Sequence, residues 1–176
     1  MDHGGSVNEA GYNADVPVDL SSVARAIRHY ASRRREIAAV YVFGSVARGR
    51  ARPDSDIDVA VLVHGVPRPR DPLTYRLTLM TEFGSALRRR DVEVVVLNDA
   101  PPLLAHRILS QGRLVYERSA AARVRFQVKT AQRYADAIPM YETYLTYLKR
   151  QRRKGRVSRP RRTRGSRRRI RANARG

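Results

Sequence analysis

Residues 41–58 read YVFGSVARGRARPDSDID, and the rest of the chain is best interpreted from this stretch outward. It begins inside an apolar, β-branched and aromatic run, IAAVYVF at 37–43, which predicts a strand. Gly44 and Ser45 break that strand. Glycine lets the backbone turn sharply and lets a ligand approach it closely. If a helical turn starts at Ser45, its free N–H groups and the seryl hydroxyl point at an anion. A loop with Gly49 and Pro53 follows, and a second apolar run, DIDVAVLV at 56–63, then opens with Asp56 and Asp58. Residues i and i+2 on a strand project from one face, roughly 6.5–7 Å apart along the backbone. Two carboxylates so placed repel unless a cation lies between them. Hard divalent cations such as Mg2+ take one or two carboxylates together with phosphate oxygens. A phosphate cradle and a metal seat therefore stand one short loop apart, a combination suited to a nucleoside triphosphate. Taken singly, each signal is plain: Gly-Ser is a common turn, and acids at a strand start are often solvated.

The flanking sequence supplies helices to cover such strands. Asp19 or Ser21 caps an expected helix to about Arg34, with Leu20, Val23, Ala24, Ile27 and Tyr30 at helical spacing. Residues 64–72 carry three prolines and read as a loop, and 74–90 as a helix with Leu73, Leu77, Met80 and Leu87 inward and Arg76 and Arg88 to Arg90 outward. DVEVVVL at 91–97 is a third strand, 102–111 a helix stopped by Gly112, 114–116 a short last strand, and 119–148 a long helix with Pro139 inside it. The expected class is α/β (α+β), a small mixed sheet flanked by helices.

Composition narrows the function classes. The chain has 176 residues and no cysteine, so a disulfide frame, a thiolate metal site and a thiol nucleophile are all excluded. No apolar run nears the roughly 20 residues that span a bilayer, and residues 1–15 lack the basic start and apolar core of a signal peptide. A cytoplasmic location is expected. The formal net charge is +20, from 36 basic against 16 acidic residues. Residues 149–176 hold 15 of the basic residues and no acid, which leaves 21 against 16, or +5, over residues 1–148. The expected organisation is a loose N-terminus at 1–18, a body at 19–118, a helix at 119–148, and a disordered arginine-rich tail from 149 that contacts nucleic acid non-specifically.

The spacing Gly44-Ser45, ten residues, Asp56-x-Asp58 resembles the motif of the nucleotidyltransferase superfamily that includes DNA polymerase beta. With Phe43 before the Gly-Ser, Ala47-Arg48-Gly49 after it and Pro53-Asp54-Ser55 before the acids, it is similar to the minimal nucleotidyltransferase (MNT) group. The resemblance covers nearly all of 20–148. It implies the polymerase beta-like fold, ATP as substrate, and Asp56 and Asp58 as ligands of two Mg2+ ions. It implies a third carboxylate on the strand 91–97, which by its spacing from Leu97-Asn98 is Glu93, where the family usually has Asp. Asp91 shares that face of the strand and is the alternative. Glu93 would be both a metal ligand and the base for the acceptor hydroxyl. Gly44, Ser45 and Arg48 would hold the nucleotide, although Arg48 reads equally well as a solvated loop arginine. His64 is given no role.

MNT proteins often stand beside a HEPN-domain partner, a toxin with RNase activity. The resemblance implies that this chain is the antitoxin and transfers AMP from ATP to a tyrosine of the HEPN protein. Tyr134, Tyr141, Tyr144 and Tyr147, with their apolar neighbours on the last helix, read either as a docking surface for that partner or as packing within their own domain. The competing expectations are transfer to a small hydroxylated molecule and a non-catalytic module that inhibits by contact.

Overall fold

The computed structural model describes residues 19–64 and 71–155. The elements run α1 (Leu20–Ala31), β1 (Ile37–Phe43), α2 (Gly44–Ala47), β2 (Ile57–Val63), α3 (Pro72–Leu87), β3 (Val92–Val96), α4 (Pro102–Gln111), β4 (Arg113–Glu117) and α5 (Ala120–Gly155). The four strands form one mixed sheet in the order β3-β2-β1-β4. β1 is antiparallel to both β2 and β4, and β2 is parallel to β3. The expected α/β class with a small mixed sheet is what forms. Among the described residues, no helix is long and apolar enough to cross a membrane.

Both faces of the sheet are covered, which is why β1 and β2 are apolar almost throughout. On one face Val40, Val42, Ile57, Val59, Val61 and Val94 pack with Ile27 of α1 and with Tyr75, Leu79 and Phe83 of α3. On the other face Tyr41, Ala60 and Leu62 pack with Ala105 and Ile108 of α4 and Ala122 of α5. Asp19 caps α1, accepting from the amides of Ser21 and Ser22 at 3.1 Å each. That helix ends at Ala31, short of the expected Arg34, because the chain tightens into turns in which Arg33 N–H donates to the Tyr30 carbonyl and Arg34 N–H to that of Ala31.

Three expectations need correcting. Leu73 and Leu77 do not face inward: they are 61% and 52% exposed. α3 carries two apolar stripes, and the one with Tyr75, Leu79 and Phe83 is buried. Asp71 and Pro72 set that phase by starting the helix two residues earlier than expected, the Asp71 carboxylate accepting from Leu73 N–H at 3.0 Å. Arg89 does not face outward: it is 8% exposed. The last helix runs through Pro139 and past Leu148 to Gly155, so the first seven residues of the expected tail are helical. The rest of that tail and the expected loose N-terminus lie outside the described residues, as do 65–70 of the proline-rich loop. The compact units divide at Ala137 and Ile138, within α5.

The two stripes of α3 can be told apart by denaturation. Leu79→Ala should cost about 2–5 kcal/mol as a cavity in the core. Leu77→Ala should stay within about 0.5 kcal/mol, as an exposed substitution does. Equal losses in urea titrations would mean that the buried stripe is misassigned.

Candidate active site

The sequence motif becomes a site because of strand pairing. The β1–β2 register sets Phe43 opposite Asp58, so the bend that follows Phe43 falls directly on the Asp58 side chain. Gly44 makes that bend with φ 69°, in the left-handed region. A Cβ placed on Gly44 would lie 1.7 Å from Asp58 Oδ2, so no other residue fits without displacing the carboxylate. The single turn α2 follows, with Val46 and Ala47 buried in the core and the Ser45 carbonyl accepting from the amides of Arg48 (3.2 Å) and Arg50 (3.0 Å). The expected cradle residues Gly44 and Ser45 are therefore held in place from below.

The parallel β2–β3 register sets Asp58 beside Glu93. Asp58 is half-buried, and burial pushes its carboxyl above the usual aspartate range. Glu93 and then Asp56 push it further up, while Arg48 draws it down. Asp56 and Glu93 thus both act on Asp58. Asp91 has different surroundings. Arg89 Nε donates to its Oδ1 at 2.9 Å, and this hydrogen bond holds the Asp91 carboxyl below its usual range. Among the described residues no three His, Asp or Glu side chains are gathered tightly enough to enclose a metal ion. A Mg2+ ion that shares its ligands with a bound phosphate needs only one or two of them. A cation there would also relieve the mutual repulsion felt at Asp58, so the donor set fits.

Asp58, Gly44 and Arg48 line a cleft of about 240 Å³ together with Phe43. Its opposite wall comes from α4: Leu104, Arg107, Ile108 and Gln111. Sequence reasoning missed Arg107 and Gln111. The spacing of Leu104, Ile108 and Gln111 marks one helix face, but nothing in it says which strand end that face will cover. His64 follows β2 at the end away from Asp58, its N–H donating to the Glu36 carbonyl at 2.9 Å, so it stays outside the site. Tyr134 stacks on His106 with ring centroids 4.0 Å apart, which places this tyrosine in its own unit's packing.

Two variants test this geometry. Gly44→Ala should cost about 1–2 kcal/mol from its backbone conformation alone and should displace the Asp58 carboxylate; a crystal structure with Asp58 unmoved would refute the contact. The second test uses pH. A carboxyl raised in the folded state favours folding when protonated, so the stability it withholds at neutral pH returns as pH falls through the folded-state pKa. Asp58→Asn in chelator-treated protein should therefore raise Tm at pH 7, with a gain that shrinks as pH drops toward about 4. A gain that does not change with pH would show that Asp58 is not perturbed.

Comparisons with known proteins fit this geometry. The Polymerase beta, Nucleotidyltransferase family model matches residues 25–121. The Staphylococcus aureus spectinomycin 9-adenylyltransferase is 43% identical over 65 residues, which is 35% of this chain and 25% of that enzyme, so the match spans a quarter of this relative's length. A crystal structure of a toxin–antitoxin with AMP-PNP is similar over 74% of this chain and 98% of that one, at 24% identity and a TM-score of 0.58. A tri-AMPylated Shewanella oneidensis HEPN toxin in complex with MNT antitoxin matches over the same shares at 23% identity and a TM-score of 0.56. At these identities the two complexes speak for the fold. With the family model covering the motif, the sheet and the helices that wall the cleft, this chain belongs to the polymerase beta nucleotidyltransferase family.

Proposed function

We propose that the chain is an adenylyltransferase antitoxin that moves AMP from ATP to a tyrosine hydroxyl of a HEPN toxin and so neutralises it. The observation that carries this reading is the seat of Asp58: against the Gly44 bend, beside Glu93, with Arg48 facing it. The names of the similar complexes, one with AMP-PNP and one with an AMPylated HEPN toxin, support the choice of nucleotide and acceptor.

Asp56, Asp58 and Glu93 would hold Mg2+, which when bound neutralises phosphate charge and lowers the pKa of an attacking hydroxyl. The tyrosine oxygen attacks the α-phosphorus of ATP. The bond from that phosphorus to the bridging oxygen breaks, and pyrophosphate leaves. Glu93 takes the hydroxyl proton. The N–H groups at Gly44 and Ser45 hold the terminal phosphates, and Arg48 offers a planar fork to their oxygens. The body at 19–118, completed by the start of α5, carries this chemistry in the cytoplasm. From Ile138 onward α5 presents Met140, Tyr144, Leu145 and Tyr147, each more than half exposed, as the surface that docks the partner. The arginine-rich tail adds non-specific affinity for polyanions. One specific observation favours a second reading, transfer to a small hydroxylated molecule: the 43% identity to a spectinomycin adenylyltransferase across 65 residues.

Incubation with Mg2+, α-labelled ATP and a co-encoded HEPN protein should label the HEPN protein on tyrosine. Asp56→Ala with Asp58→Ala should lower the rate about 100-fold or more, and Glu93→Gln about 10²–10⁴-fold. Label on spectinomycin and none on protein would select the second reading. Absence of transfer with any nucleotide would leave a module that inhibits by contact.

A further inference from the structure

Arg89 enters the protein through an unusual helix ending. α3 stops at Leu87, and Arg88 takes a left-handed conformation, φ 53° and ψ 42°. Arg89 N–H then donates back to the Gly84 carbonyl at 3.0 Å. That closure turns the Arg89 side chain under the loop ahead of β2, where it is 8% exposed. Its guanidinium grips both partners of a junction. Nε donates to Asp91 Oδ1 at 2.9 Å, and Nη2 donates to Asp91 Oδ2 and to the Pro53 carbonyl, the latter at 2.8 Å. The Ser55 carbonyl lies 3.4 Å from the same Nη2. From the other side, Ile57 N–H donates to the Asp91 carbonyl at 2.9 Å. Within the loop, Ser55 Oγ accepts from Arg52 N–H at 2.8 Å and Ser55 N–H donates to the Arg52 carbonyl at 3.0 Å. Asp56 sits between Ser55 and Ile57, so both its neighbours are fixed to the Arg89–Asp91 pair while its own carboxylate stays exposed.

We infer that Arg89 is a positioning residue: with Asp91 it clamps the 53–57 segment and thereby sets where Asp56 presents its carboxylate to a divalent cation. The inference rests on the metal role proposed for Asp56. Planarity matters here, because one guanidinium must meet a carboxylate edge and a carbonyl at once. A lysine keeps the charge and loses the fork. The exposed neighbours Arg88 and Arg90 cannot substitute, since the helix ending directs only Arg89 inward.

The test is a Mn2+ titration of the full chain, followed through the paramagnetic signal of free Mn2+, with Tm recorded for each variant. Arg89→Lys should raise the Mn2+ dissociation constant about tenfold at a temperature where the protein is folded. Leu79→Val, a core change in the same helix, should lower Tm and leave Mn2+ affinity intact. Asp91→Asn should behave like Arg89→Lys and serves if that variant fails to fold. Wild-type affinity in Arg89→Lys, or equal loss in Leu79→Val, overturns the inference. If the wild-type chain itself takes up no Mn2+, the metal site has failed instead. Hydrogen exchange of the unmodified protein gives a second readout: the Ile57 amide should be protected to the level of the β2 core, and rapid exchange there would mean that the clamp is open.

Discussion

The approach of the Asp58 carboxylate to a glycine that lacks a side chain is the constraint on which the rest of the site depends. It follows from packing. The β1–β2 register is fixed by valines and isoleucines that must face a buried layer on one side of the sheet. A slip of one residue would turn Asp58 into that layer and bring Val59 out. Burying an unpaired carboxylate among valines costs far more than any local contact at the bend can return. The core therefore enforces the position of Asp58, and Gly44 is the residue that makes this position tolerable.

The site accordingly concentrates like charge where the sheet runs out into solvent. Asp56 precedes β2, Asp58 is its second residue, and Glu93 is the second residue of β3. Water reaches Asp56 and Glu93 and screens them, while Asp58 is half-buried and registers the repulsion. Opposite charge stands nearby: Arg48 and Arg107 line the cleft from separate elements. An arrangement with acids on the sheet and arginines around the rim favours a ligand that is itself anionic and arrives with a cation.

Much of this was legible in the sequence, for identifiable reasons. Runs of β-branched residues marked β1, β2 and β3, because central strands covered on both faces leave little room for polar residues. The Gly44-Ser45 break and the Asp56-x-Asp58 pair marked the candidate site because strand periodicity predicts both acids on one face, although β2 itself begins only at Ile57. Strand order was not legible, since pairing depends on contacts distant in sequence. The inward face of α3 was not legible either: residues 73, 77, 80 and 87 form as apolar a stripe as 75, 79 and 83, and only the cap at Asp71 and the packing of Phe83 choose between them. Arg89 was misplaced because three arginines in a row give no sign of which one a left-handed helix ending will turn inward. Arg107 was missed because a helix face carries no label for the strand end that it covers.

The acids of the third strand show how one short segment divides its work. Asp91 and Glu93 lie two residues apart, Asp91 just ahead of β3 and Glu93 within it, and composition alone does not rank them. Asp91 is spoken for: its carboxylate holds Arg89, and its carbonyl holds the first residue of β2. Glu93 is level with Asp58 on the neighbouring strand, where adjacent backbones lie about 4.8 Å apart. In the proposed site a third carboxylate would have to reach from that strand toward ligands beside the bend, and the extra methylene of glutamate would lengthen the reach without moving the backbone. The longer side chain then has more rotamers to freeze before it acts. On the proposed mechanism, glutamate at 93 would therefore shift the burden of precision to the scaffold and make the rigid placement of Asp56 and Asp58, by the clamp on one side and by the bend on the other, more important here than in a site built from three aspartates.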